Sequence, residues 1–183
     1  KNHFISLNTE HKCVLEALRK LEIEGAKVTI LNVKKNGLID PIDIKKSINK
    51  NTLLVSVMMA NNETGVIQPV DTVVAMARAS GIAVHSDMVQ MLGKTHLDFA
   101  SSELDFASIS AHKIGGPTGI GAVLVRPSNR LTSLLRGGGQ EQGRRSGTEN
   151  VLGIAGFGAA ARASRRDLGP RRRLAGEVHG WSS

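Results

Sequence analysis

Aromatic side chains are scarce in this chain of 183 residues, which has four Phe, one Trp and no Tyr. With 40% hydrophobic residues, the core must be built from Val, Ile, Leu, Ala and Met. Cysteine is scarcer still: Cys13 stands alone, which excludes an internal disulfide framework or a cysteine-built zinc cluster and fits a reducing compartment. No H-E-x-x-H, C-x-x-C or Walker pattern occurs, and His3, His96 and His179 lack neighbours at metal-ligand spacing, so no metal site is expected. No apolar run approaches the length of a membrane span and no signal peptide is visible. The cytoplasm, or an organelle matrix in a eukaryote, is the expected location. An initiator methionine is also missing, so an upstream part is expected to precede Lys1.

The formal charge of +8 is unevenly placed. Arg162, Arg165, Arg166, Arg171, Arg172 and Arg173 lie in a stretch whose acids are Asp167 and Glu177 alone; without it, 18 basic residues face 14 acidic ones. The high pI therefore describes the tail, and a nucleic-acid footprint on the main body is not expected. The tail itself reads as a solvated, poorly ordered end.

Twenty glycines and a regular alternation of apolar runs with polar, capped segments indicate repeated strand–helix units. Asn8 or Thr9 is placed to cap a helix that carries Val14, Leu18 and Leu21 on one face and stops at Gly25. K-V-T-I-L-N-V is a strand, and Asp40-Pro41 with Asp43 opens a second helix. T-L-L-V-S-V-M-M-A is apolar throughout, as a central strand covered on both faces must be. A helix over 71–80, a strand at Ile82–Val84, a turn over 88–93 and a strand over 104–109 follow. G-I-G-A-V-L-V follows so closely that it is expected to run antiparallel to its neighbour. The Gly-rich polar stretch R-G-G-G-Q-E-Q-G-R-R-S-G-T-E-N reads as a loop, and Glu149 or Asn150 starts a small-residue helix to about Ala163. These elements predict a three-layer α/β/α domain with a mostly parallel sheet over residues 1–163, followed by an Arg-rich tail over 164–183.

Two apolar runs end in ionisable clusters, His85-Ser86-Asp87 with Gln90, and Ser110, His112 and Lys113. The C-terminal ends of parallel strands are where open α/β proteins place their chemistry. Lys113 is either a surface lysine or an amine nucleophile. Asp87 is either a helix N-cap or a carboxylate for a protonated ring nitrogen, and the two together favour a pyridinium cofactor. Asn61 and Asn62 are turn formers or hydrogen-bond donors to a ring oxygen. His11 is a solvated capping residue or a ring that stacks on a flat cofactor. Cys13, two positions from His11 and on another face of the helix, reads as a buried, inert thiol.

The stretches T-E-H-K, V-S-V-M-M-A-N-N-E-T-G-V-I-Q-P, H-S-D-M-V-Q-M-L-G-K, S-I-S-A-H-K-I-G-G-P-T-G-I-G-A and G-G-G-Q-E-Q-G-R-R-S-G-T-E-N occur in that order. Together, over about residues 8–163, they resemble the cysteine desulfurase family (NifS/IscS-like), in the class V aminotransferase group of fold-type I pyridoxal-phosphate enzymes. The resemblance implies the core of that fold's large domain and pyridoxal 5'-phosphate as cofactor. Lys113 would tether it, Asp87 would pair with its ring nitrogen, and His11 would stack on the ring and assist proton transfer. Asn62 and Gln90 would hold ring substituents, with Gln90 near the phenolic oxygen. Ser110 and His112 would contact the phosphate, helped by Thr148 across a homodimer interface. The implied reaction takes L-cysteine to L-alanine and passes the sulfur on as a persulfide to an acceptor protein, for iron–sulfur cluster assembly.

The chain departs from the family pattern. Met88 and Val89 replace two usual alanines, and the family's phosphate loop would lie before Lys1. Its nucleophilic cysteine and carboxylate-binding arginine would lie in a later segment, and neither Cys13 nor the arginines of 162–173 match them. The chain alone is therefore expected not to release sulfur. A selenocysteine lyase or another class V enzyme shares the Asp–Lys pair, and a non-catalytic remnant with a structural or partner-binding role would keep the same core.

Overall fold

The computed structural model describes residues 1–129 and 131–168. Six strands form one sheet: β1 (His3–Leu7), β2 (Lys27–Leu31), β3 (Thr52–Ser56), β4 (Ala83–Asp87), β5 (Phe106–Ser110) and β6 (Gly121–Val125). Their order is β2-β1-β3-β4-β5-β6; all pairings are parallel except β5 with β6, which is antiparallel as the short connection requires. The helices are α1 (Lys12–Ile23), α2 (Pro41–Ser47), α3 (Val70–Ala79) and α4 (Val151–Arg166). The three-layer α/β/α architecture follows from their connections. A right-handed crossover from β1 to β2 moves in one direction along the sheet, while β2 to β3 and β3 to β4 move in the other. That sets α1 against one face and α2 with α3 on the opposite face.

The main core lies under α2 and α3. Ile5, Leu7, Val55, Val57 and Val84 from the strands pack with Ile44, Val70, Val73, Val74 and Ala77 from these helices, and all are buried. The alternation of strand side chains then sends Ser6, Ser56, His85 and Asp87 to the face of α1. The strand order reverses between β1 and β3, which makes the crevice beyond their C-terminal ends a topological switch point.

Several local expectations hold. Asp40 caps α2 by accepting the Ile42 N–H at 3.0 Å, with Pro41 at the first position. Others are corrected. β1 escaped the sequence reading because H-F-I-S-L is short and abuts the chain start. The cap of α1 is neither Asn8 nor Thr9 but His11, whose imidazole accepts the Cys13 N–H. The Gly-rich loop contains one 3-10 turn, Gln140–Gly143. α4 continues to Arg166, so residues 164–166 form its last turn rather than the start of a tail. The remainder of the expected tail, including Arg171, Arg172 and Arg173, lies outside the described residues, apart from Asp167 and Leu168.

Leu104, fully buried ahead of β5, joins the core at the edge that carries the later strands. Leu104→Ala should lower the unfolding free energy by ~2–5 kcal/mol, seen as a reduced urea midpoint with an unchanged slope.

Candidate functional site

β4 is where polar chemistry begins. On its α1-side face, His85 sits between two hydroxyls, with Nδ1 2.8 Å from Ser56 Oγ and Nε2 2.9 Å from Ser108 Oγ. Ser6 Oγ in turn donates to the Ser56 carbonyl at 2.9 Å. Four strands are thus linked by side chains as well as by their backbone ladders. Burial holds the His85 imidazole below its ordinary pKa, and the nearby Asp87 charge offsets this only in part.

Asp87 is the last residue of β4 and is 6% exposed. Its Oδ1 accepts the Val89 N–H at 2.9 Å, so it does cap the following turn, and Oδ2 makes no hydrogen bond among the described residues. Capping and presenting a carboxylate are therefore compatible. Its register partner on β5 is Ser108. Beyond it β5 ends at Ser110 and a 3-10 turn, Ala111–Ile114, carries His112 and Lys113. Ser110 Oγ and His112 Nδ1 are 2.7 Å apart, and Lys113 is exposed with no side-chain hydrogen bond among the described residues. Gly115 ends the turn at φ 81°, a left-handed conformation suited to glycine. α4 closes on this segment through Gly156, where a Cβ would come within 2.5 Å of Pro117 Cγ. That close approach requires glycine at position 156.

The start of α1 lies beyond the C-terminal end of β1. His11 Nδ1 accepts the Cys13 N–H at 3.2 Å and lies 3.0 Å from Cys13 Sγ. Accepting a backbone N–H places the neutral ring's proton on Nε2. Cys13 is exposed and bonded to His11, which corrects the reading of a buried thiol that shares no face with the imidazole. A cap residue is not yet helical, so helical spacing does not apply between positions 11 and 13. The thiol is nevertheless partly shielded: desolvation first, then the charge of Asp87, raises its pKa, which favours S–H over thiolate. The turn before α1 is tied to the segment after β3, where Glu10 accepts the Met58 N–H and the Thr9 carbonyl accepts from Asn61. The Asp87 charge acts on both Glu10 and Cys13.

The remaining residues are placed unequally. Gln90 is half-buried, and its Oε1 accepts Lys94 Nζ at 2.7 Å, leaving the amide N–H groups free to donate. Asn61, not Asn62, is the turn former. Its Oδ1 accepts from Glu63 N, Thr64 N and Thr64 Oγ1, and its Nδ2 donates to the Thr9 carbonyl at 2.9 Å. Asn62 is exposed and free of that work. Thr148 is exposed in the loop before α4. A concavity of about 460 Å³ between residues 92–98 and the end of α4 shares none of these side chains. The site is an open edge of the sheet. Glu10 was missed by the sequence reading, although an acid between an apolar strand and His11 was the available signal.

The model of the aminotransferase class-V family matches residues 1–171. The chain belongs to the class-V aminotransferases, a family of pyridoxal-phosphate enzymes. Within it the likeness is to the NifS/IscS group. The chain is 50% identical over 170 residues to cysteine desulfurase IscS of Rickettsia bellii, covering 92% of this chain and 42% of that protein. It is 51% identical over 170 residues to the mitochondrial cysteine desulfurase of Saccharomyces cerevisiae, covering 92% of this chain and 34% of the relative. A solved NifS-like protein superposes with a TM-score of 0.90 at 36% identity, over all of this chain and 53% of the other. The chain thus spans less than half the length of the two curated relatives.

His85 makes a stability prediction. Its folded pKa lies below the ordinary 6.5, so the unfolded chain binds the proton more readily, and its contribution is present above pH 6.5 and lost as the pH falls below it. The difference in unfolding free energy between wild type and His85→Gln should shrink on acidification below that pH, as followed by urea titrations at a series of pH values.

Proposed function

We propose that the C-terminal edge of β1, β3, β4 and β5 is the pyridoxal-phosphate site of a cysteine desulfurase. The observation that carries this is the delivery of Asp87 by β4 and of Lys113 by the turn after the adjacent β5, with His11 next to the Glu10 that ties its turn to the segment after β3. The donor set suits the group: a buried carboxylate with one free oxygen, an exposed amine, an imidazole, and the Ser110–His112 pair. When bound, pyridoxal phosphate supplies an electron sink for bond breaking at the α-carbon of an amino acid.

In this reading Asp87 Oδ2 holds a proton at the ring nitrogen, while the Val89 N–H fixes the other oxygen. Lys113 Nζ would be the covalent tether and the base that moves the α-proton. His11 would hold the ring. With Nδ1 already accepting from Cys13, Nε2 is the atom that gives or takes a proton. Gln90 donates to the phenolic oxygen, Asn62 assists at the ring, and Ser110 and His112 hold the phosphate. Thr148 completes the phosphate site from a second copy. Support for a homodimer comes from exposed Leu131, Leu134 and Leu135 on one side of Thr148 and Val151, Leu152 and Ile154 on the other.

The relatives are named cysteine desulfurases. In a complete enzyme the proposed reaction would take L-cysteine to L-alanine. The thiolate of a cysteine other than Cys13 would attack the substrate sulfur to form the persulfide that an acceptor protein in iron–sulfur cluster assembly then receives. Shielding and the Asp87 charge raise the Cys13 pKa, which works against a thiolate there, and Cys13 does not match the family's sulfur-accepting cysteine. The bacterial and mitochondrial relatives support a cytoplasmic or organelle-matrix location.

Incubated with pyridoxal phosphate, the protein should acquire a visible absorbance that borohydride reduction fixes covalently. Lys113→Ala should abolish covalent attachment. Asp87→Ala should weaken uptake by about tenfold or more, as expected when an anion worth at least ~1.4 kcal/mol to a bound cation is removed. A wild-type protein that stays colourless and unlabelled would overturn the assignment.

A further inference from the structure

Glu10 stands directly before His11 in the turn between β1 and α1, and none of the roles above uses it. The residue is 5% exposed. Oε1 accepts the Met58 N–H at 2.6 Å, whereas Oε2 is buried without a hydrogen-bond partner among the described residues. Asp87 from β4 and the Cys13 thiol from α1 are the titratable groups whose charge couples to it, and it forms no ion pair among the described residues. As a carboxylate, Glu10 would have one donor for two oxygens and another acid as its neighbour. A buried oxygen so poorly served is tolerated far better on a neutral acid than on an anion. Burial accordingly pushes its pKa up to about 8, with the Asp87 charge adding to it and the Met58 N–H opposing.

The bond to Met58 has mechanical consequences. Beyond the end of β3 the chain stays paired with β4: the Val57 N–H donates to the His85 carbonyl at 3.0 Å and the Met59 N–H to the Asp87 carbonyl at 2.9 Å. Met58 lies between these two anchors with its own N–H turned to Glu10. One carboxyl oxygen thereby ties the turn before α1 to the segment that holds the backbone of Asp87.

We propose that Glu10 is a positioning residue for Asp87: a neutral carboxylic acid that braces the end of β3 against the end of β4 and leaves the single negative charge of the pocket on Asp87. The role rests on Asp87 being the partner of a cationic ring nitrogen, which then has one anion in one place to meet.

Two variants separate the parts of this role. Glu10→Gln keeps an acceptor for the Met58 N–H and stays neutral; Glu10→Ala loses the brace. In cofactor-free protein carrying isotope-labelled glutamate, infrared spectra should show a protonated-carboxyl stretch at neutral pH. It should be absent from Glu10→Gln and disappear from wild type as the pH rises through about 8. With pyridoxal phosphate, Glu10→Gln should bind within about twofold of wild type with the same visible spectrum, and Glu10→Ala about tenfold more weakly. Only carboxylate signal at neutral pH, or a tenfold loss in Glu10→Gln, would make Glu10 a second anion and overturn the proposal. Wild-type affinity in Glu10→Ala would remove the bracing role; if that variant does not fold, the Gln variant and the infrared signal decide. Failure of every protein, wild type included, to take up cofactor would sink the site assignment and the role toward Asp87, while the infrared signal would still settle the proton.

Discussion

The two faces of β4 are held in different ways, and the whole C-terminal edge depends on that. Val84 is locked into the apolar core under α3, while Ser86 donates to the Val57 carbonyl at 2.8 Å. On the other face His85 is clasped by Ser56 and Ser108. A strand fixed by packing on one side and by hydrogen bonds on the other has little freedom to slip. A slip of one residue would expose Val84 and bury the polar set without partners. Asp87, the final residue of the strand, inherits that rigidity, and so does any group it holds.

Around Asp87 the chain places groups whose charge states are set by neighbours. Cys13 is kept as a thiol, His85 is kept neutral by burial, and Glu10 is pushed toward its acid form. Each shift begins with the removal of a polar group from water; the Asp87 charge adds to it at Cys13 and Glu10 and opposes it at His85. Lys113 sits differently. It rides on a 3-10 turn that α4 grips through Gly156 and Pro117, with its side chain in solvent. The acid is thus held in a buried strand end, and the amine is presented to solvent on the turn after the next strand.

Much of this was legible in the residues. Asp40-Pro41 specified a helix start by local chemistry, and the apolar run from Leu53 marked a central strand, because both signals act over a few positions. The ordered motifs around His11, Asp87 and Lys113 pointed to one site. What failed were statements that depend on distant partners or on an exact boundary. Cys13 was judged by helical spacing, yet His11 is the cap and bends back to it. α4 outlasted its small-residue pattern to Arg166. Glu10 went unnoticed because its significance lies with Met58 and Asp87, which are far away along the chain.

By itself, then, the amino-acid order determined the alternation of strands and helices and the chemical types gathered at the strand ends, since these rest on periodicity, capping and residue identity. The tertiary structure alone decided which of those groups meet. Strand order set β1 beside β3 and placed α1 over the polar face; burial then raised the proton affinity of Glu10, and the cap bond from the Cys13 N–H left Nε2 of His11 free. Proton affinity depends on desolvation and neighbouring charge in three dimensions, and no spacing along a chain encodes either.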